Sequence, residues 1–342
     1  MRRPWIILPL LLAALAGGGS GCGTFLANRL TQAPNTYPTW FAPEARVVLG
    51  FDAKFLTNFA THWVSVGPPD ARLRYRVVPP ADYQLTESVT NWARGGVRQY
   101  DFSFHATLPA PTNQWTARPR GTVVLLHGYG VAQFAMAPWA LRLAEAGWRC
   151  VLVDLRGHGK STGRRIFFGL RETEDLSRLL DQLDREAPVR GPVAAVGESY
   201  GAALALRWRT TDARVGPVVA IAPYASLSNA VLNISRDYAP WVPKWWLRQG
   251  LRRLPEVLHT APAELDPTTV VQRGAVVALF VASPGDTVMP VDEVRRLAAA
   301  AAPGSELLIV PDATHEALPY FFAELVPPVL RWLGPGADPA GR

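Results

Sequence analysis

The chain has 342 residues, of which 49% are hydrophobic, a formal charge of +7 and only two cysteines. That is enough apolar material for a large core, so disorder is excluded, and two cysteines point to no metal or redox centre. The basic residues are scattered among acidic ones without an arginine-rich stripe carrying interleaved aromatics. This describes a solvated surface, with attraction to anionic lipid as the alternative, and not a nucleic-acid interface.

The first residues stand apart. Arg2 and Arg3 precede an apolar run from Trp5 to Ala16, too short for a permanent span, and then Gly17-Gly18-Gly19-Ser20-Gly21-Cys22. A basic start, a short greasy segment and a small-residue stretch read as an export signal over residues 1–22. The Gly19-Ser20-Gly21-Cys22 segment resembles a bacterial lipobox, with Gly19 where leucine is usual, and the resemblance makes Cys22 the expected lipidation site. Ordinary cleavage and an uncleaved anchor are the other readings; all three send the chain out of the cytoplasm, and the expected location is the cell envelope, as a membrane-anchored lipoprotein.

Residues 23–71 show no steady period and several prolines and aromatics, which predicts a tether and irregular extension. Alternation in Leu73 to Val78 and in Tyr100 to Ala106 predicts two half-buried strands of an antiparallel edge. From residue 121 the pattern changes to short continuous apolar runs: Thr122 to Leu126, Cys150 to Val153, Val193 to Val196, Val218 to Ile221, Ala275 to Val281 and Leu307 to Val310. Runs of this kind, separated by helix-like stretches, predict a mostly parallel sheet covered on both faces. Leu176, Leu179, Leu180 and Leu183 form one helical stripe, and Met136, Trp139 and Leu143 form another that Gly147 ends. Cys150 is read as a small core residue. An excursion over about 226–270, with Trp241, Trp245 and Trp246, is too long for a turn and predicts a helical cap over the sheet's C-terminal edge. A short tail, 334–342, follows.

Within this α/β pattern, Gly197-Glu198-Ser199-Tyr200-Gly201 follows a buried strand and opens a small-residue helix. Serine between two glycines in that setting predicts a strained turn presenting a nucleophilic hydroxyl. An acyl-transfer intermediate needs backbone N–H donors for its oxyanion. Tyr200, next after the serine, supplies one, and Tyr129, in His127-Gly128-Tyr129-Gly130 after an earlier strand, is the expected second. His127 itself reads as a packing and loop residue. The base must come late, and His315, after Leu307 to Val310, fits. Asp286, after Ala275 to Val281, is the expected orienting acid, with Asp312 as its competitor.

The HGYG segment, Asp154-Leu155-Arg156-Gly157-His158-Gly159-Lys160-Ser161-Thr162-Gly163, the GESYG elbow, the stretch around Asp286 and the late His315 together resemble the α/β-hydrolase superfamily over roughly residues 72–333. The DLRGHGKSTG segment is similar to the branch of serine aminopeptidases and monoacylglycerol-lipase-like enzymes. That resemblance implies ester, thioester or amide hydrolysis through an acyl-enzyme, without a cofactor or metal, and makes Asp154 to Gly163 a structural loop. A dinucleotide site is set aside because the third glycine of its fingerprint is replaced by Gln133. The resulting expectation is a serine esterase or monoglyceride-type lipase acting on a small ester substrate, at the envelope and in contact with a membrane surface. A peptidase is second, and a binding protein that kept the fold without turnover is third.

Overall fold

The continuous apolar runs become the middle of one sheet because their side chains alternate between two buried faces. The computed structural model describes residues 21–36, 47–94, 97–109, 119–189 and 191–334. In chain order the elements are α1 (Gly21–Leu30), β1 (Val47–Gly50), β2 (His62–Val66), β3 (Ala71–Val78), β4 (Thr86–Arg94), β5 (Val97–His105) and β6 (Thr122–Leu126). Then follow α2 (Ala137–Glu145), β7 (Arg149–Val153), α3 (Glu172–Glu186), β8 (Val193–Glu198), α4 (Tyr200–Thr211), β9 (Val215–Ile221), α5 (Leu227–Tyr238) and α6 (Lys244–Leu258). The last elements are α7 (Pro267–Arg273), β10 (Leu279–Ala282), α8 (Val291–Ala300), β11 (Glu306–Ile309) and α9 (Phe322–Leu333).

Eight strands form the main sheet in the order β11-β10-β9-β8-β6-β7-β3-β2. β11 through β7 run parallel, while β3 and β2 join antiparallel at one edge. In β6, Val124 and Leu126 point into one core, with α3, α4 and α8, and Val123 and Leu125 into the other, with α2 and α9. That two-sided burial explains why no polar residue interrupts the run. On α3 the stripe Leu176, Leu179, Leu180 and Leu183 is buried against the sheet, each leucine contributing about 1.5–3 kcal/mol of apolar burial. Gly147, with φ +93°, ends the turn after α2.

Several expectations need correction. The segment 23–71 is not merely a tether: β2 is the outermost strand of the main sheet, so the layer begins before residue 72. Its Val64 and Val66 are buried while Ser65 is exposed, an alternation too short to stand out. α1, read as irregular, lies against α6, with Leu26 beside Gly250. Tyr100 to Ala106 does become a strand, but in a separate three-stranded sheet, β1-β5-β4. Tyr100, Phe102 and Phe104 pack it onto the α2/α9 face. The run from Ala275 becomes strand only at Leu279, because α7 ends at Arg273 and Ala275 takes a positive φ.

The cap consists of α5, α6, a short 3-10 turn at Pro262–Leu265 and α7. No helix among the described residues is long and apolar enough to cross a membrane. Residues 1–20 of the expected signal and residues 335–342 of the tail lie outside the described residues, whereas Cys22 falls in the first turn of α1.

Candidate active site

β8 ends at Glu198 and α4 begins at Tyr200, which leaves Ser199 alone at the corner with φ 50° and ψ −109°. A positive φ at a non-glycine residue costs about 1–3 kcal/mol and survives only where the surroundings dictate it. Here they do. A Cβ on Gly197 would sit 2.3 Å from the carbonyl oxygen of Gly201, and one on Gly201 would sit 2.2 Å from that of Leu126. Only two glycines allow the helix to start so close to the strands, and the tight corner turns the serine outward. Ser199 is half-buried, between a buried Glu198 and a buried Tyr200. Its backbone N–H donates to the carbonyl of Ile221 at 2.8 Å, which ties the corner to β9.

Two loops at the same end of the sheet reach this corner. The one after β10 carries Asp286, whose Oδ1 accepts the backbone N–H groups of Val288 (2.9 Å) and Met289 (2.7 Å). Its Oδ2 lies 2.8 Å from Nδ1 of His315, on the loop after β11. The Nε2 of His315 lies 3.0 Å from the Ser199 hydroxyl. With Asp286 accepting from Nδ1–H, Nε2 is the nitrogen left to accept the hydroxyl proton. Burial disfavours the charged imidazole. The Asp286 carboxylate, as neighbouring charge and hydrogen-bond partner, together with the charges of Glu198 and Asp237, outweighs burial and raises the His315 pKa above its ordinary value.

Asp312 turns elsewhere. Its side chain is 79% exposed and lies 4.0 Å from Arg98, while its backbone carbonyl accepts the Tyr100 hydroxyl at 2.9 Å. The small sheet thus braces the histidine loop from outside. A second brace comes from α2, where the buried Trp139 indole donates to the carbonyl of Pro319 at 2.8 Å.

Of the two expected oxyanion donors, Tyr200 is the first residue of α4, where the N–H groups of a helix start have no partner within the helix. Tyr129 lies in the turn after β6, its side chain 39% exposed and its ring edge-on to that of Tyr200. The neighbouring Gly128 comes close enough that its missing Cβ would be 3.7 Å from that of Ser199. What holds this turn is a residue that sequence reasoning passed over. The buried Glu198 accepts the Gly128 N–H through Oε1 at 3.0 Å, and burial raises its pKa, against the lowering effects of that hydrogen bond and of His315. A carboxylate at the end of the buried run Val193 to Gly197 was the available signal.

His127 is buried, with Nδ1 2.8 Å from the Gly128 carbonyl and Nε2 accepting the Leu155 N–H at 3.1 Å. Both nitrogens are therefore occupied by backbone, and burial lowers its pKa. The DLRGHGKSTG segment is a buttress. Asp154 accepts the Gln133 N–H (2.8 Å) and the Lys160 N–H (2.9 Å) and pairs with Arg74 at 2.8 Å. Arg156 grips Asp175 through two nitrogens at 2.6 and 2.7 Å. Asp154 is thus committed to two backbone N–H groups and to Arg74.

The cap meets the site through α5. Asn233 donates to the Val288 carbonyl at 3.1 Å, Arg236 to that of Thr287, and Asp237 accepts the Thr287 hydroxyl at 2.6 Å, so this helix fastens the loop that carries Asp286. Two of the three cap tryptophans face solvent, and Trp246 is half-buried. Trp241 and Trp245 are 55% and 60% exposed and contribute little apolar wall to any buried pocket.

A mostly parallel sheet covered by helices on both faces has counterparts among solved structures. The chain has the α/β-hydrolase fold. Residues 117–285 match the serine aminopeptidase S33 family model. The esterase Pf2001 of Pyrococcus furiosus superposes with a TM-score of 0.58 at 20% identity, over 86% of this chain and 98% of that one. A hydrolase from Pseudomonas aeruginosa does so with 0.52 at 19%, over 80% and 98%. In sequence the chain is similar to the uncharacterized protein YqkD of Bacillus subtilis, 25% identical over 189 residues, 52% of this chain and 58% of that protein. It is also 31% identical to epoxide hydrolase B of Mycobacterium tuberculosis over 123 residues, 35% of this chain and 33% of that one. The chain therefore spans less than two thirds of the length of either relative.

Proposed function

We propose that this chain of α/β-hydrolase fold is a serine hydrolase that cleaves carboxylic esters through an acyl-enzyme. The observation that carries the reading is the hydrogen-bonded line from Asp286 through His315 to Ser199, ending on a hydroxyl that a strained corner turns outward. In the first half-reaction, Ser199 Oγ attacks the ester carbonyl while His315 Nε2 takes its proton. Asp286 holds the ring in the reactive tautomer and balances the imidazolium charge. The oxyanion is received by the N–H groups of Tyr200 and Tyr129, the latter steadied by the bond from Gly128 to Glu198. His315 then returns the proton to the departing alcohol. Water, activated by the same imidazole, attacks the acyl-serine and releases the acid, and Ser199 regains its proton.

Likeness to epoxide hydrolases does not extend to their reaction. A serine oxygen that opened an epoxide would leave an ether, which has no carbonyl for water to attack, whereas a carboxylate nucleophile would leave a hydrolysable ester. Amide cleavage is the second reading, favoured by the match to the serine aminopeptidase model. A fluorophosphonate probe is expected to label Ser199, located by mass spectrometry, and the chain is expected to hydrolyse short and medium acyl esters faster than aminoacyl amides. A clear preference for the amides would replace the esterase reading with the peptidase one. No adduct at Ser199, with the esters left intact, would remove both.

A further inference from the structure

α6 has two unlike faces. Leu247, Gly250, Leu254 and Leu258 are buried inward. Outward stand Trp245 and, just before the helix, Trp241, with the exposed cations Lys244, Arg248 and Arg252. None of the three has an ion-pair partner among the described residues, whereas Arg253 on the same helix is held by Glu256 at 2.9 Å. Arg248 and Arg252 also rim a shallow groove between α5 and α6, lined by Ser228, Leu232 and Leu251. Two large aromatics left in water beside unneutralised cations are not accounted for by the packing of the domain.

The N-terminal part of the chain leads to the same place. α1 lies along α6: a Cβ on Gly23 would meet Arg253 Cγ at 3.0 Å, and one on Gly250 would meet Leu26 at 2.7 Å. α1 carries Phe25, 46% exposed. In sequence it follows Arg2, Arg3, the apolar run Trp5 to Ala16 and then Gly17-Gly18-Gly19-Ser20, and it contains Cys22 in its first turn. Whichever of the apolar run or Cys22 meets a membrane, α1 ties that point to α6.

We propose that the α1–α6 face rests on an anionic lipid bilayer. Trp241, Trp245 and Phe25 would lie at the boundary between headgroups and acyl chains, where aromatic residues with one wet and one apolar side are favoured. Lys244, Arg248 and Arg252 would lie among the headgroup phosphates. Two acidic groups of the cap are already engaged: Glu256 by Arg253, and Asp237 by Arg236 and Thr287. Lys244, Arg248 and Arg252, with no ion pair among the described residues, would be available to phosphate. Because α5 lies between α6 and the loop of Asp286, docking would bring the triad within one helix of the lipid. The proposal does not depend on catalysis, so a chain that docks without hydrolysing esters leaves it standing.

The test uses the full chain with phosphatidylcholine vesicles and with vesicles enriched in phosphatidylglycerol. Hydrogen exchange of residues 241–256 is expected to slow on the anionic vesicles. R248A/R252A is expected to weaken partition into them by roughly tenfold to thirtyfold, from about 1 kcal/mol per cation, with little effect on phosphatidylcholine. W241A/W245A is expected to weaken partition into both. Four exposed side chains are replaced in these variants, and thermal unfolding checks that the fold is kept. Vesicle-bound chain whose residues 241–256 exchange as fast as in buffer would overturn the proposal, since the N-terminal segment alone would then do the binding. Lipid-independent protection of 241–256 that rises with protein concentration would overturn it too, by assigning the face to a second copy of the chain.

Discussion

At Gly197 and Gly201, which flank Ser199, nearby backbone leaves no space for one more carbon, whereas on the outer face of α6 two of the largest side chains in the chain stand in solvent. Both regions are strained departures from ordinary design, one in dihedral angle and one in exposure. At the corner the cost is offset by packing already present in the folded domain. On α6 nothing within the domain offsets it. The comparison teaches that a reactive group can be read from its own surroundings, while an exposed apolar face has meaning only together with what covers it.

The sharpest way to break the contrast is to remove the hydroxyl at the corner. Ser199→Ala is expected to lower kcat for ester hydrolysis by about ten-thousand-fold or more, with an unfolding free energy within about 0.5 kcal/mol of the parent. Single-turnover kinetics and urea denaturation read the two effects separately. Comparable loss follows from Asp286→Asn, about ten-thousand-fold, because the imidazole would lose its reactive tautomer. Asp312→Asn should change kcat by less than about twofold, as expected for an exposed carboxylate that faces Arg98 at 4.0 Å and not the imidazole. Equal losses from both variants would return the orienting role to an open question.

Packing supplies the next comparison. Gly201→Ala forces a carbon to within 2.2 Å of a backbone carbonyl and is expected to destabilise by about 3 kcal/mol or more. Trp245→Ala, on the exposed face, should stay within about 0.5 kcal/mol. Chemical denaturation of both variants checks the pair, and a large loss for Trp245→Ala would mean that the outer face of α6 is packed in solution.

The smallest effect concerns protons. In the proposed mechanism His315 serves as a base only when neutral, and its pKa is raised, so kcat/KM should fall with decreasing pH already above the ordinary histidine range. Glu198→Gln removes one of the negative charges responsible while keeping an oxygen to accept the Gly128 N–H. The acidic limb should therefore move to lower pH. A limb that stays in place in a full pH–rate profile would show that the Glu198 carboxyl carries no charge felt by the imidazole.

The sheet strands were legible because double-sided burial demands unbroken apolar runs, and β6, β7, β8 and β9 lie where those runs occur. β2 and α1 were not. His62 to Val66 offers only two buried positions, and α1 contains two glycines that lower its intrinsic helicity, so both owe their form to partners distant in sequence: β3 for one, α6 for the other. The small sheet was half legible, since Tyr100, Phe102 and Phe104 alternate correctly but nothing local says which layer they cover.

For the candidate site the division follows the range of the forces. The glycines at 197 and 201, the strand before them and the small helix after them are neighbours in the chain, and short-range sterics make a sharp corner readable from five letters. The order of serine, acid and histidine along the chain could likewise be stated in advance. That Asp286 and not Asp312 faces the imidazole, that Glu198 secures the Gly128 turn, and that Trp241 and Trp245 look outward were decided by tertiary structure. The orientation of each of these side chains is set by contacts between segments far apart in sequence, and one-dimensional spacing carries no record of them.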